Sequence, residues 1–320
     1  MTKPIIHVVV ITYNQEKYIS QCIESILQQQ TNACVQILIG DDASQDRTGD
    51  ILEQYAASYP DKIQLIRRRV NIGASANLKD LIERASGDYI AFCEGDDFWI
   101  DPQKIERQRH FLSENPNLAG CTHDIILVDE NNGLLDNQHL QWVRSKDIYS
   151  MRDFDLSKLP GHLSSLLIRN TKRWKAMEKS LLLCDRNSSD SVLFFLLLTL
   201  GNIGRLSRKM SAYRFVRSYS GNNLVAEQYA NRSSSCVRDL KKYSAMECLL
   251  KRRGIRKTFV AAQSRILVTA LFHKVKGYDI SLKEVWKMCS HPWLAAARFP
   301  VAFAEQFFKK IQILTGRQVR

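Results

Sequence analysis

In the stretch Tyr89-Ile90-Ala91-Phe92-Cys93-Glu94-Gly95-Asp96-Asp97-Phe98-Trp99, a short run of strand-forming residues meets a glycine and then two adjacent carboxylates. An apolar run of this length reads as a buried strand, and the abrupt change to acid reads as a loop at its carboxyl end. Neighbouring aspartates at such an edge repel each other and lose solvation, so a cation is the natural compensation. Hard oxygen ligands suit Mg²⁺ or Mn²⁺, above all an ion whose remaining ligands are substrate phosphates. Taken alone, Asp96 and Asp97 also fit a simple capping role before a helix that begins near Asp101-Pro102.

The residues on the N-terminal side give this loop a setting. The β-branched run 5–11 is too short for a helix or a membrane span and reads as a buried parallel strand, ending at Thr12-Tyr13-Asn14-Gln15-Glu16. Ile19, Cys22, Ile23, Ile26 and Leu27 follow at helical spacing. A second strand over 35–39 ends in Gly40-Asp41-Asp42-Ala43-Ser44, a helix covers about 47–58, and 63–66 makes a third strand. Asn71-Ile72-Gly73 then turns into a helix over 74–85. This alternation predicts a parallel sheet with right-handed crossovers, which places ligands at the carboxyl ends of the strands.

On the C-terminal side, 101–114 reads as a helix stopped by Asn115-Pro116, 119–128 as a strand, and 129–133 as a turn. Residues 134–158 lack periodicity and are taken as a loop-rich, acceptor-side segment. A strand over 163–168, a helix over 171–182 and a strand pair within 203–216 are expected. Between them, Asp190 in Ser189-Asp190-Ser191 precedes the apolar run 192–200, where a helix N-terminus would favour its anionic form. From 222 onward the character changes to helical segments with basic polar faces, over about 223–252, 255–275, 281–289 and 293–314.

Size and charge narrow the class. The 320 residues accommodate one domain of ordinary size plus an appendage, and 45% hydrophobic with 25% charged residues is normal for a soluble globular chain. The net charge of +13 is uneven: residues 201–320 hold 24 Lys/Arg against 6 Asp/Glu, so the part bearing the acidic motifs is slightly negative. Anionic lipid headgroups, a pyrophosphate-bearing acceptor, nucleic acid or plain solvation could each answer that basic half. The eight cysteines show no metal-type spacing, and Cys22, Cys34 and Cys93 sit in apolar runs as buried free thiols do. Met1-Thr2-Lys3-Pro4 leads directly into a strand with no leader pattern, so a cytoplasmic setting with reduced thiols is expected.

With Gly87-Asp88-Tyr89 before the acidic loop and Asp101-Pro102 and Lys104 after it, the chain resembles family 2 glycosyltransferases of the GT-A fold, in the bacterial surface-polysaccharide branch. The resemblance covers residues 5 to about 220, with the motifs in the family's order. It implies an α/β fold, a GT-A Rossmann-like, mostly parallel sheet flanked by helices, over 1–220. The basic helical region 221–320 would be an appendage that meets a membrane interface or packs on protein, an oligomer included. It also implies an inverting transfer from a UDP-sugar to a lipid-linked saccharide in lipopolysaccharide, O-antigen or capsule synthesis. The setting would be peripheral, at the inner face of the cytoplasmic membrane, with Mn²⁺ or Mg²⁺ as cofactor and no nucleic-acid partner.

Roles follow by position within the resemblance. Thr12, Tyr13, Asn14, Glu16, Asp42 and Asn77 would hold the nucleotide, Asp42 by accepting from the uracil ring and Tyr13 by stacking on it. Asp97 would be the direct metal ligand, with Asp96 reaching the ribose or the ion through water, and Asp190 the general base, with Asp185 its nearest competitor. Two positions depart from the pattern. Ala76 stands where relatives often carry Arg, and Val216 where they often carry His, which leaves phosphate contacts to Arg214 or Arg217. Two rival readings remain: a nucleotidyltransferase, against which the loop after the first strand lacks a Gly-rich phosphate cradle, and a non-catalytic homologue that binds nucleotide or glycan.

Overall fold

The computed structural model describes residues 3–135, 146–154, 159–172, 174, 189–216, 232–250, 256–277 and 280–304. The chain divides into two compact units, Met1–Asn222 and Asn223–Arg320. In the first, β1 (Ile5–Thr12), β2 (Cys34–Asp41), β3 (Ile63–Arg67) and β4 (Tyr89–Glu94) lie parallel in the order β3-β2-β1-β4, linked by α1 (Ile19–Leu27), α2 (Thr48–Ser58) and α3 (Ala74–Arg84). The expected parallel α/β sheet is therefore present. It is continued by β8 (Leu167–Arg169), β6 (Leu118–Val128), β9 (Asn202–Arg214) and β5 (Phe98–Trp99), with β7 (Ile148–Tyr149) also paired to β9.

Period-two alternation explains the layering. Ile6, Val8 and Val10 of β1 join Ile37 and Ile39 of β2 in one core with Ile19, Cys22, Ile23 and Ile26 of α1 and Leu52 of α2. α4 (Lys104–Glu114) adds Ile105 and Leu112 to the same side. Residues of the other parity, such as Val9 and Leu38, are equally buried, and α3 contacts β1 and β2 there through a stripe that includes Leu78, Leu81 and Ile82. Both faces are thus covered, which is why the strands read as unbroken apolar runs. Each fully buried Ile or Leu contributes about 1.5–3 kcal/mol relative to exposure.

Three expectations change. The strand expected over 163–168 is a 3-10 turn, Leu163–Ser165, followed by the short β8, antiparallel to β4. The expected strand pair in 203–216 is one strand, β9: Ser207-Arg208-Lys209 has turn-like polarity, but the chain stays extended and register shifts opposite it in β6 absorb the irregularity. Cys34, expected to be buried, is exposed, because it opens β2 at the end remote from the core and pairs with the exposed Ile5. The 171–182 helix, Asp185 and Arg217 lie largely or wholly outside the described residues.

In the second unit, α6 (Arg232–Leu250), α7 (Arg256–Val275), α8 (Leu282–Met288) and α9 (Pro292–Ala297) follow α5 (Ser189–Leu200) of the first unit in chain order. Cys236, Leu240, Leu267, Ala270, Val285, Cys289 and Ala295 form its core. Glu247 accepts from the Ser290 hydroxyl at 2.9 Å and meets His291 Nε2 at 2.6 Å, while Gln263 donates to Ser290 at 2.6 Å. No helix of the described residues is long and apolar enough to cross a membrane.

Candidate active site

Strand register brings the motifs to one rim. Thr12 pairs with Asp41 and Ile11 with Glu94, so β1, β2 and β4 end at the same level. The loops beyond them are stitched together: Asp42 N–H donates to Thr12 O (3.0 Å), Gly95 N–H to Ile11 O (2.9 Å), Asn14 N–H to Ser44 Oγ (2.9 Å) and Gln45 N–H to Asn14 Oδ1 (2.7 Å). Asn14 and Ala43 take left-handed φ values of 54° and 64° to make these close turns. Gly95 is required here, since a Cβ would lie 2.5 Å from Thr12 Oγ1.

β8 runs antiparallel to β4, so the turn that precedes β8 sits at the rim where β4 ends. Ser164 Oγ accepts from Glu94 N–H at 3.1 Å and donates to Asp97 Oδ2 at 2.5 Å. His162 stands between two carboxylates, with Nε2 at 3.2 Å from Glu94 Oε2 and Nδ1 at 3.3 Å from Asp97 Oδ2, and its ring lies 4.3 Å from that of Tyr213. β9, antiparallel to β5, closes the other side, and Arg214 N–H donates to Asp97 Oδ1 at 3.0 Å. The N-terminus of α5 carries Asp190, whose charge acts on Glu94, His162 and Tyr213.

Glu94 thus stands among the charges of Asp97, Asp96 and Asp190, beside a histidine and a tyrosine that the same carboxylates also act on. Burial, with repulsion from Asp97, pushes Asp96 up to about 7, and burial with the charges of Asp97, Asp96 and Asp190 pushes Glu94 well above the usual carboxylate range. Burial pushes Asp97 to about 7 as well, against the Ser164 and Arg214 hydrogen bonds that favour its anion. Burial pulls His162 down to about 4, which leaves a neutral imidazole at neutral pH.

The donor set fits a divalent ion. Ligand atoms of Glu94, Asp97 and His162 all lie within 4.8 Å of one another. Moreover, the His162 Nδ1 that accepts from Ser164 N–H faces a carboxylate oxygen, so two acceptors meet unless a proton or a cation relieves them. Oxygen with imidazole is a donor set suited to Mn²⁺, and Mg²⁺ is served by the carboxylates.

The other sequence candidates fall into two groups. Tyr13 is exposed at the rim beside buried Thr12, and Asp42 is pinned by the backbone N–H groups of Ile72 and Gly73, each at 2.8 Å. Glu16 accepts from Arg47 N–H at 3.0 Å, holding the loop after β2 rather than joining the acidic group. Asn77 stands apart: it is buried, donating to Gly40 O at 2.8 Å and accepting from Arg68, so in this structure it braces the rim from beneath.

Arg214, one of the two arginines expected at the phosphates, serves the loop in this structure. Its buried guanidinium donates to Asp96 O (2.9 Å), Asp129 O (3.0 Å) and Gln21 Oε1 (2.8 Å), and it lies 4.3 Å from the Tyr18 ring centre. Arg214→Met is expected to lower unfolding stability by roughly 3 kcal/mol in chemical denaturation, because the carbonyls it serves lose their donors. Lys should not rescue it, having no planar fork to reach three partners. Lys104 supports the loop from beneath, its buried ammonium 3.8 Å from the Trp99 ring centre and drawn down by burial to about 7.

Residues 7–169, just over half of the chain, match the family model described as Glycosyl transferase family 2. The chain belongs to this family. Among curated relatives, a Mycobacterium tuberculosis protein, Rv1520, is 40% identical over 151 residues, which is 46% of this chain and 43% of the relative's own length. Among solved structures, residues 1–349 of TarS from S. aureus in complex with UDP-GlcNAc superpose with a TM-score of 0.52 at 14% identity, over all of this chain and 93% of TarS 1–349. The mannosyltransferase PcManGT from Pyrobaculum calidifontis, in complex with GDP-Man and Mn²⁺, gives 0.51 at 14% identity over 93% and 88% of the two chains. At such identities the likeness is one of fold, and it agrees with the glycosyltransferase architecture expected from the motifs.

Sequence reasoning leaves Glu94 without a role and gives His162, with His123, only that of a possible acceptor contact and not of a metal ligand. Glu94 was legible in principle, as the last residue of a strand beside two aspartates. The place of His162 beside the carboxylates was not, because only the antiparallel return of β8 brings it to this rim.

Proposed function

We propose that residues 1–220 form the catalytic domain of an inverting, metal-dependent glycosyltransferase. It would move a sugar from a UDP-sugar to a lipid-linked saccharide of a bacterial surface polysaccharide, at the inner face of the cytoplasmic membrane. The observation that carries this reading is the convergence of Glu94, Asp96, Asp97 and Asp190 on His162 at the carboxyl ends of the strands. Such a cluster of carboxylates repels itself and is suited to a divalent cation that also binds a diphosphate.

Glu94, Asp97 and His162 would hold the ion, with Asp96 toward the donor. When bound, the ion supplies charge stabilisation to the departing diphosphate. Tyr13, Asn14 and Asp42, on the neighbouring strand ends, would flank the nucleoside. Asp190 would take the proton from the acceptor hydroxyl as that oxygen bonds to the sugar C1. The bond from C1 to the diphosphate oxygen breaks on the opposite face, and the nucleoside diphosphate leaves. One carboxylate acting once in this way inverts the anomeric centre. The acceptor class rests on the family likeness and on the basic C-terminal half.

Slow transfer to water offers a test that needs no acceptor. With Mn²⁺ present, a panel of UDP-sugars should include one that releases UDP at a rate at least about tenfold above its congeners, and GDP-mannose should not replace it. Release only of pyrophosphate from a nucleoside triphosphate and a sugar phosphate would instead establish the nucleotidyltransferase reading.

A further inference from the structure

The C-terminal unit, residues 223–320, contains 19 Lys/Arg and 6 Asp/Glu, which equals the net +13 of the entire chain. Its described surface shows where part of that charge lies. Phe272 near the end of α7 stacks on Phe303 at 5.3 Å, and Phe303 in turn on Phe299 at 6.4 Å. Trp293 of α9 meets Trp286 of α8 edge-on at 5.3 Å. These aromatics tie α7, α8 and the 292–304 segment into one body, and several apolar side chains of that body stay exposed. Trp293 is 78% exposed, Val275 78%, Val301 51% and Leu294 48%.

The described charged residues of the same segment are mostly basic. Lys274, Lys276, Lys283, Lys287 and Arg298 are all exposed, against a single described acidic residue in 271–304, Glu284. A protein core partner would leave five basic side chains to be paired or desolvated. An anionic bilayer takes both components together, the aromatic and aliphatic side chains below the headgroups and the ammonium and guanidinium groups among the phosphates.

We propose that residues 271–304 form a face that docks on an anionic lipid bilayer. Trp293 and Val301 would enter the interface, and Lys274, Lys276 and Arg298 would hold the headgroups. The face lies away from the proposed catalytic residues in sequence and deepens the membrane placement proposed above, while loss of vesicle binding would leave the transfer reaction itself untouched.

The test is flotation of the full-length protein with vesicles of phosphatidylcholine, alone or mixed with phosphatidylglycerol. Binding is expected to the mixed vesicles and to weaken as salt rises. Trp293→Glu combined with Val301→Glu, both at exposed positions, should weaken it more than tenfold, and Lys274→Glu about fivefold or more. Absence of binding, equal binding to both vesicle types, or binding unchanged in the variants would each overturn the proposal. Light scattering supplies the remaining outcome: a dimer that Trp293→Glu makes monomeric, without vesicle binding by the wild type, would reassign the face to a second copy of the chain.

Discussion

Asp190→Asn is expected to lower turnover about a thousandfold while the protein remains folded. The amide has nearly the carboxylate's shape, and its oxygen can still accept from Ser191 N–H, the bond that Asp190 Oδ1 makes at 2.7 Å. What it cannot do is take a proton from an acceptor hydroxyl. A group that acts only as the proton leaves should lower kcat and kcat/KM together, with the donor's KM little altered. The check is a transfer assay alongside thermal unfolding by circular dichroism. Retention of a tenth of wild-type turnover would place the base elsewhere. An equal loss in Ser191→Ala would instead assign the effect to the start of α5 and not to the carboxylate.

How much of this could be read from the sequence depended on the range of the interactions. β1, β2 and β4 are legible because their central side chains are buried on both faces, and a run such as Val8-Val9-Val10 needs no partner to declare itself. The acidic loop is legible because strand, glycine and paired aspartates are contiguous. The remainder depends on pairings between residues distant in sequence. Ser164 reaches Asp97 and Glu94 only once β8 has returned antiparallel to β4. Arg214 faces the loop carbonyls only because β9 runs on without a turn and ends beside β5. Asn77 looked like a ligand contact because it opens α3 near the rim. Its inward face at that point of the helix instead meets Gly40, where even a methyl group would lie 2.1 Å from its amide oxygen.

The second large effect concerns the acidic cluster itself, and it has opposite signs with and without metal. Asp96 and Asp97 each titrate near about 7 in the fold, against 3.8 for the free side chain. Folded protein therefore holds protons that the unfolded chain has released. The stability they contribute is complete below about pH 4 and is lost as pH rises through about 7. Metal-free protein should accordingly melt at progressively lower temperature across that interval.

Asp96→Asn removes one charge from the cluster without touching the Ser164 and Arg214 bonds that hold Asp97. Without metal at pH 7.5, the variant should melt about 3 °C higher than the wild type, as expected for about 1 kcal/mol in a domain of this size. Saturating Mn²⁺ should reverse the order. At a hundred times its dissociation constant a ligand stabilises by about 2.7 kcal/mol, so the wild type should gain several degrees and the variant less than half as much. A capping aspartate gives the contrary result, since its loss destabilises the helix with or without metal. Calorimetric scans at pH 5 and 7.5, with chelator and with Mn²⁺, separate the two cases. If Mn²⁺ leaves the wild type unmoved, or Asp96→Asn lowers the metal-free melting temperature, the carboxylates at this rim are structural and the metal-dependent reading fails with them.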